Sequence, residues 1–127
     1  MKKKTAAIYA RVSTDKQKAD MQVTELKIYI QRREFKAGQV YIDQGYTGGN
    51  IQRTAFGRMM EDAYKRGFDV LIVWKLDRLS RSLKDLITTL ETLGSLDVDF
   101  ISYDNSLDTS TPTGKLVFHV VGSVAEF

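Results

Sequence analysis

Residues 69 to 74 read DVLIVW, and the four aliphatics Val70 to Val73 follow one another without a polar break. A strand with one wet face alternates apolar and polar residues, because successive side chains point to opposite faces. An unbroken run needs cover on both faces, as in the middle of a parallel sheet flanked by helices. The rest of the chain offers such helices. Asp20 to Phe35 carries Leu26, Tyr29, Ile30 and Arg33 at helical spacing, with Lys27, Arg32 and Lys36 on a solvated side. Thr54 can cap a helix to about Arg66, with Phe56, Met59, Met60, Ala63 and Tyr64 inward and Gly67 as its C-cap. Ser82 and Asp85 have capping-box spacing. They open a third helix whose apolar stripe is Leu83, Leu86, Ile87, Leu90 and Leu93, ended by Gly94.

Between these helices fall strand candidates Ala6 to Val12, Gln39 to Asp43 and Val98 to Tyr103. DQGYTGGNIQR, residues 43 to 53, is a loop rich in glycine, and Asn105 to Thr113 is a polar loop. Strands alternating with helices predict an α/β fold with a mainly parallel central sheet and flanking helices, ending in the start of a long C-terminal helix. A chain of 127 residues makes one such domain.

That last helix, from about Thr113, places Lys115, His119, Ser123 and Glu126 on one narrow stripe and is apolar almost everywhere else. A helix of that kind must be covered. It reaches Phe127 without a capping signal, so it is expected to continue in a longer protein.

Composition excludes some chemistry. With no cysteine, neither a disulfide nor a thiolate metal site can form. Met1 to Lys4 is basic, but Thr5 to Val12 is too short and interrupted for a signal-peptide core, and no apolar run is long enough to span a membrane. A net charge of +3 leans toward an anionic partner.

In parallel α/β folds ligands bind at the carboxyl ends of the strands. YARVSTDKQ, residues 9 to 17, places Tyr9, Arg11 and Ser13 on one strand face at such an end. DVLIVW runs into KLDRLSR, which brings Asp77, Arg78 and Arg81 to another. A serine, a carboxylate and several guanidiniums suit a phosphate diester: arginines grip phosphate oxygens in bidentate fashion and offset the charge of a pentacoordinate transition state. Ser13 is then the nucleophile of a phosphoserine ester. The only histidine, His119, lies on the terminal helix, so no imidazole base is assigned to the serine. Metal catalysis is the rival route, and Asp15, Asp43 and Asp77 could supply oxygen ligands, though without metal-site spacing.

YARVSTDKQ, GYTGGNIQR, VWKLDRLSRS and SLDTSTPTGKLVFHVVGSVAEF, in that order, resemble the catalytic domain of the serine site-specific recombinases, the resolvase/invertase family. The resemblance runs from about Lys4 to Phe127. It implies a resolvase-type catalytic domain over residues 1–127, with the family's C-terminal DNA-binding domain absent from this chain. It implies that Ser13 attacks a DNA phosphodiester, becomes joined to the 5′-phosphate and frees a 3′-hydroxyl. Arg11, Arg78 and Arg81 match the arginines that hold the scissile phosphate. Gln17 matches the glutamine near the serine, Asp77 the carboxylate of the K-L-D-R motif, and Arg53 the arginine after the glycine-rich loop. Thr54 stands where the family commonly has proline. The resemblance further implies no cofactor, double-stranded DNA as partner, a homodimer that becomes a tetramer during strand exchange, and a cytoplasmic protein of a bacterium, phage or mobile element. Two other readings are a non-catalytic module for oligomerisation or DNA architecture, and a metal-dependent nuclease.

Overall fold

The computed structural model describes residues 3–12, 16–44, 54–75, 82–104 and 107–126. In chain order the elements are β1 (Thr5–Val12), α1 (Lys16–Arg32), β2 (Lys36–Gln44), α2 (Thr54–Tyr64), β3 (Val70–Val73), α3 (Leu83–Ser95), β4 (Asp99–Ser102), β5 (Leu107–Asp108) and α4 (Pro112–Glu126). The strands form one sheet in the order β2-β1-β3-β4-β5. The first four are parallel, and β5 runs antiparallel on the far edge.

β3 lies at the centre, and all four of its residues are buried. Its two faces feed two cores. Ile72 and Val70, with Ala6, Ile8 and Ile101, pack against Leu26 and Ile30 of α1. Leu71 and Val73, with Ala7, Tyr9 and Phe100, pack on the other side against Ala55, Met59 and Ala63 of α2 and Leu86, Leu90 and Leu93 of α3. The unbroken apolar run is thus a direct consequence of helices on both sides.

Several boundaries differ from the periodicity reading. α1 starts at Lys16, earlier than Asp20, and ends at Arg32. Beyond it Glu34 takes a left-handed conformation (φ 59°), so β2 can begin at Lys36 and not at Gln39. The same stop closes α2 and α3, at Arg66 (φ 58°) and Asp97 (φ 60°). Each is a Schellman closure: Phe35 N–H donates to the Ile30 carbonyl, Gly67 N–H to Asp62, and Val98 N–H to Leu93. The left-handed residue after α2 is therefore Arg66, with Gly67 one place later, and α3 runs past Gly94 to Ser95. A local hydrogen-bond pattern stops the helices without glycine at the left-handed position, which a glycine search misses.

Tyr64 is exposed, not inward. The polar loop after β4 contains β5, whose Leu107 and Asp108 pair with Ser102 and Ile101. Ser82 caps α3 as expected, its Oγ accepting from Asp85 N–H at 3.1 Å. α4 touches the body with Phe118, with Gly114, which is buried, and with Gly122, where a Cβ would lie 3.9 Å from Ile87. At Gly114 an added Cβ would sit 1.7 Å from the Asp108 carbonyl oxygen, so only glycine lets α4 start this close to β5. The opposite face of α4 carries Leu116, Val117, Val120 and Val124, all exposed.

Candidate active site at the carboxyl edge of the sheet

Strand order 2-1-3-4 reverses direction between β1 and β3, which creates the crevice where such sheets bind ligands. Tyr9 of β1 is the Cα partner of both Tyr41 in β2 and Val73 in β3. The carboxyl ends of β2, β1 and β3 therefore lie side by side. Segment 13–15 leaves from Val12, segment 45–53 from Gln44 and segment 76–81 from Lys75. These are the three segments that carry Ser13, Arg53, Asp77, Arg78 and Arg81. All five residues lie outside the described residues, as does Asp15.

Arg11 and Gln17 are described. Arg11 is the penultimate residue of β1, half-buried, with its Nη1 shielded from solvent. Gln17 is exposed in the first turn of α1, just beyond the Ser13 segment.

Asp43 also lies at this edge. It is the Cα partner of Arg11 across the parallel β1–β2 pair, and only 3% of its surface is exposed. Its carboxylate accepts three hydrogen bonds: from Tyr9 Oη at 2.8 Å, Ala55 N–H at 2.7 Å and Phe56 N–H at 3.0 Å. The last two donors belong to the first turn of α2, whose N–H groups have no partner within the helix. A carboxylate there also meets the positive end of the helix dipole. So α2 is capped in part by a residue twelve positions upstream, and not solely by the local Thr54 that the sequence suggests. Asp43 precedes the glycine-rich loop and Ala55 follows it, so one carboxylate closes both ends of the segment that contains Arg53.

The Asp43 carboxylate thus ties the buried Tyr9 hydroxyl to the start of α2. Among the described residues no three His, Asp or Glu side chains converge as a metal site. Tyr9 is fully buried, donates to Asp43 and meets the Phe56 ring edge-on at 5.6 Å, so it packs beneath the edge. The role of Asp43 had one faint signal: an acid two residues after Tyr41 shares that residue's inward face. Tyr41 itself donates its hydroxyl to Asp62 of α2, and burial together with that carboxylate pushes its pKa well above the ordinary value.

The comparisons with known proteins agree with this geometry. Residues 6–127 match the family described as Resolvase, N terminal domain, and the chain belongs to that family. It is 36% identical over 118 residues to a DNA-invertase of Escherichia phage P1, an alignment that covers 93% of this chain and 59% of that protein. It is 38% identical over 120 residues to the serine recombinase gin of Escherichia phage Mu, covering 93% of this chain and 56% of that protein. The chain thus spans less than two thirds of the length of these relatives. Among solved structures, the N-terminal catalytic domain of TP901-1 integrase superposes with a TM-score of 0.87 at 35% identity, over 98% of this chain and 95% of that one. The mainly parallel sheet with four helices is the fold of that catalytic domain. Among the described residues no helix is long and apolar enough to cross a membrane.

Proposed function

We propose that this chain is the catalytic domain of a site-specific DNA recombinase that cuts and rejoins DNA through Ser13, without metal or nucleotide. The observation that carries the reading is the alignment of three strand ends: β1, β2 and β3 finish side by side, with Arg11 at the end of β1, and the segments that bear Ser13, Arg53 and Asp77–Arg81 follow them in the chain. In the proposed step Ser13 Oγ forms a bond to phosphorus and the bond from phosphorus to the 3′-oxygen breaks. The serine loses a proton, the leaving 3′-oxygen gains one, and Asp77 orients the arginines or passes that proton. Arg11, Arg78 and Arg81 grip the non-bridging oxygens and offset the added negative charge. Arg53 approaches from the glycine-rich loop whose ends Asp43 holds. Gln17 contacts DNA or supports the Ser13 loop.

One ester replaces another, so the bond energy of the cut strand is retained. A 3′-hydroxyl attacking the phosphoserine ester then reverses the step with the same arginines. The likeness to an invertase and to a serine recombinase supports duplex DNA as substrate. The exposed apolar face of α4 supports pairing with a second copy as a homodimer, and as a tetramer during exchange. A DNA-binding domain outside the present chain would supply site recognition, and the work would take place in the cytoplasm of a bacterial host.

The test is covalent capture. Protein carrying Ser13→Ala should form no DNA–protein ester on a substrate that the parent cleaves, with an unchanged circular dichroism spectrum. The parent should form the ester equally well in excess chelator. An ester that persists in Ser13→Ala, or that chelator removes, overturns the mechanism.

A further inference from the structure

The amino end of the sheet, opposite the proposed active edge, has a cleft of about 400 Å³. Three cations from separate parts of the chain line it: Lys3 before β1, Lys36 at the start of β2 and Arg66 between α2 and β3. Among the described residues, none of the three takes part in an ion pair. The neighbouring cation Lys4 differs, since its Nζ lies 3.0 Å from the Asp99 carboxylate. The one acid in the cleft, Asp69, already accepts from the Thr5 N–H at 2.8 Å. Thr5, Gly67 and Phe68 complete the wall.

We infer that this cleft binds the phosphate backbone of duplex DNA, at a place separate from the cleaved phosphodiester. Three cations facing one acid suit a polyanion better than a neutral ligand, and neutralising phosphates releases condensed counterions. Thr5 and Arg11 are six residues apart along β1, roughly 20 Å at strand spacing. That exceeds the Debye length of about 8 Å at physiological salt, so the cleft and the Arg11 edge act on DNA as electrostatically independent patches. A domain with a basic patch at each end of its sheet can hold a second DNA segment while the first is at the catalytic edge. Arg66 takes its φ of 58° in the Schellman closure of α2, as Glu34 and Asp97 do after α1 and α3.

The inference goes beyond the recombinase reading, and its test needs no cleavage, so each can fail alone. Binding of the chain to a random-sequence duplex is measured by fluorescence anisotropy across a salt series. Lys36→Ala/Arg66→Gly removes two cations and relieves the left-handed strain, so the variant should melt no lower than the parent. It should bind about tenfold more weakly at low salt, and the slope of log K against log salt should fall by about 2. Lys36→Arg/Arg66→Lys keeps the charge and should bind like the parent. Lys27→Glu, on the exposed side of α1, changes net charge by the same two units and should lose much less. A double variant that binds as tightly as the parent, or that weakens only as much as Lys27→Glu, overturns the inference.

Discussion

β3 and α4 are both rich in apolar residues, and they end in opposite environments. Every residue of β3 is buried, with helices on both faces. In α4, Leu116 and Val124 are 65% and 64% exposed, and Val117 and Val120 lie on the same outer side. Apolar content alone therefore does not distinguish a core element from a docking element. The difference lies in what this chain can fold over each segment. β3 is third in a five-stranded order, so two strands and three helices reach it. α4 follows the edge strand β5 and meets the body along one side only.

The largest expected effect separates the two segments directly. Ile72→Ala removes a fully buried side chain and should lower the unfolding free energy by about 3 kcal/mol, read by urea denaturation. Val120→Ala should change the same quantity by less than about 0.5 kcal/mol, yet weaken self-association in sedimentation. Equal losses would mean that α4 is as integral to the core as β3. Asp43→Ala comes next. It removes a helix cap and the carboxylate that the buried Tyr9 hydroxyl donates to, for a loss of about 2–3 kcal/mol. Asp43→Asn keeps an acceptor and should lose less. Covalent-complex formation should fall further than stability predicts, because the loop that carries Arg53 is no longer held at both ends.

Gly114→Ala tests what seats α4. Its Cβ cannot coexist with the Asp108 carbonyl, so the start of α4 must shift, at a cost of about 1–2 kcal/mol. The spectroscopic signature is movement of Phe118 resonances while those of Ile72 stay put. A smaller loss than at Ile72, Asp43 or Gly114 belongs to Tyr41→Phe, about 1 kcal/mol from a lost hydrogen bond to Asp62. The folded state favours the protonated phenol, since its pKa lies above the unfolded value near 10. That contribution is complete below pH 10 and is lost as pH rises through the folded value. Parent and variant should therefore converge in stability in strong alkali, measured by denaturant midpoints.

Much of this architecture was legible from local patterns. An unbroken apolar run identified β3, and helical spacing identified the three helices that flank the sheet, because burial imposes its own pattern on each. The Ser82 cap was legible because its partner is three residues away. The carboxyl-edge rule anticipated Arg11 at the end of β1, since it depends only on strand direction. The missed features share one cause: their partners are distant in sequence or lie in backbone conformation. β5 is two residues long and exists only because β4 offers it an edge. The helix stops at Glu34, Arg66 and Asp97 are set by backbone angles that no residue type announced.

Asp43 shows where that boundary runs. As one letter in DQGYTGGNIQR it could equally be a turn former, a surface acid or a metal ligand. The register of β1 against β2 sets it opposite Arg11, and the packing of α2 onto that face brings two N–H groups to within 3.0 Å. Periodicity and motif spacing act over a few residues, so they were sufficient for the main strands and helices, the α/β class and the family. Asp43 and Ala55 are twelve positions apart, and their contact depends on α2 packing against β2. Long-range hydrogen bonds of this kind arise only when the whole core has excluded water, and no local pattern encodes that event.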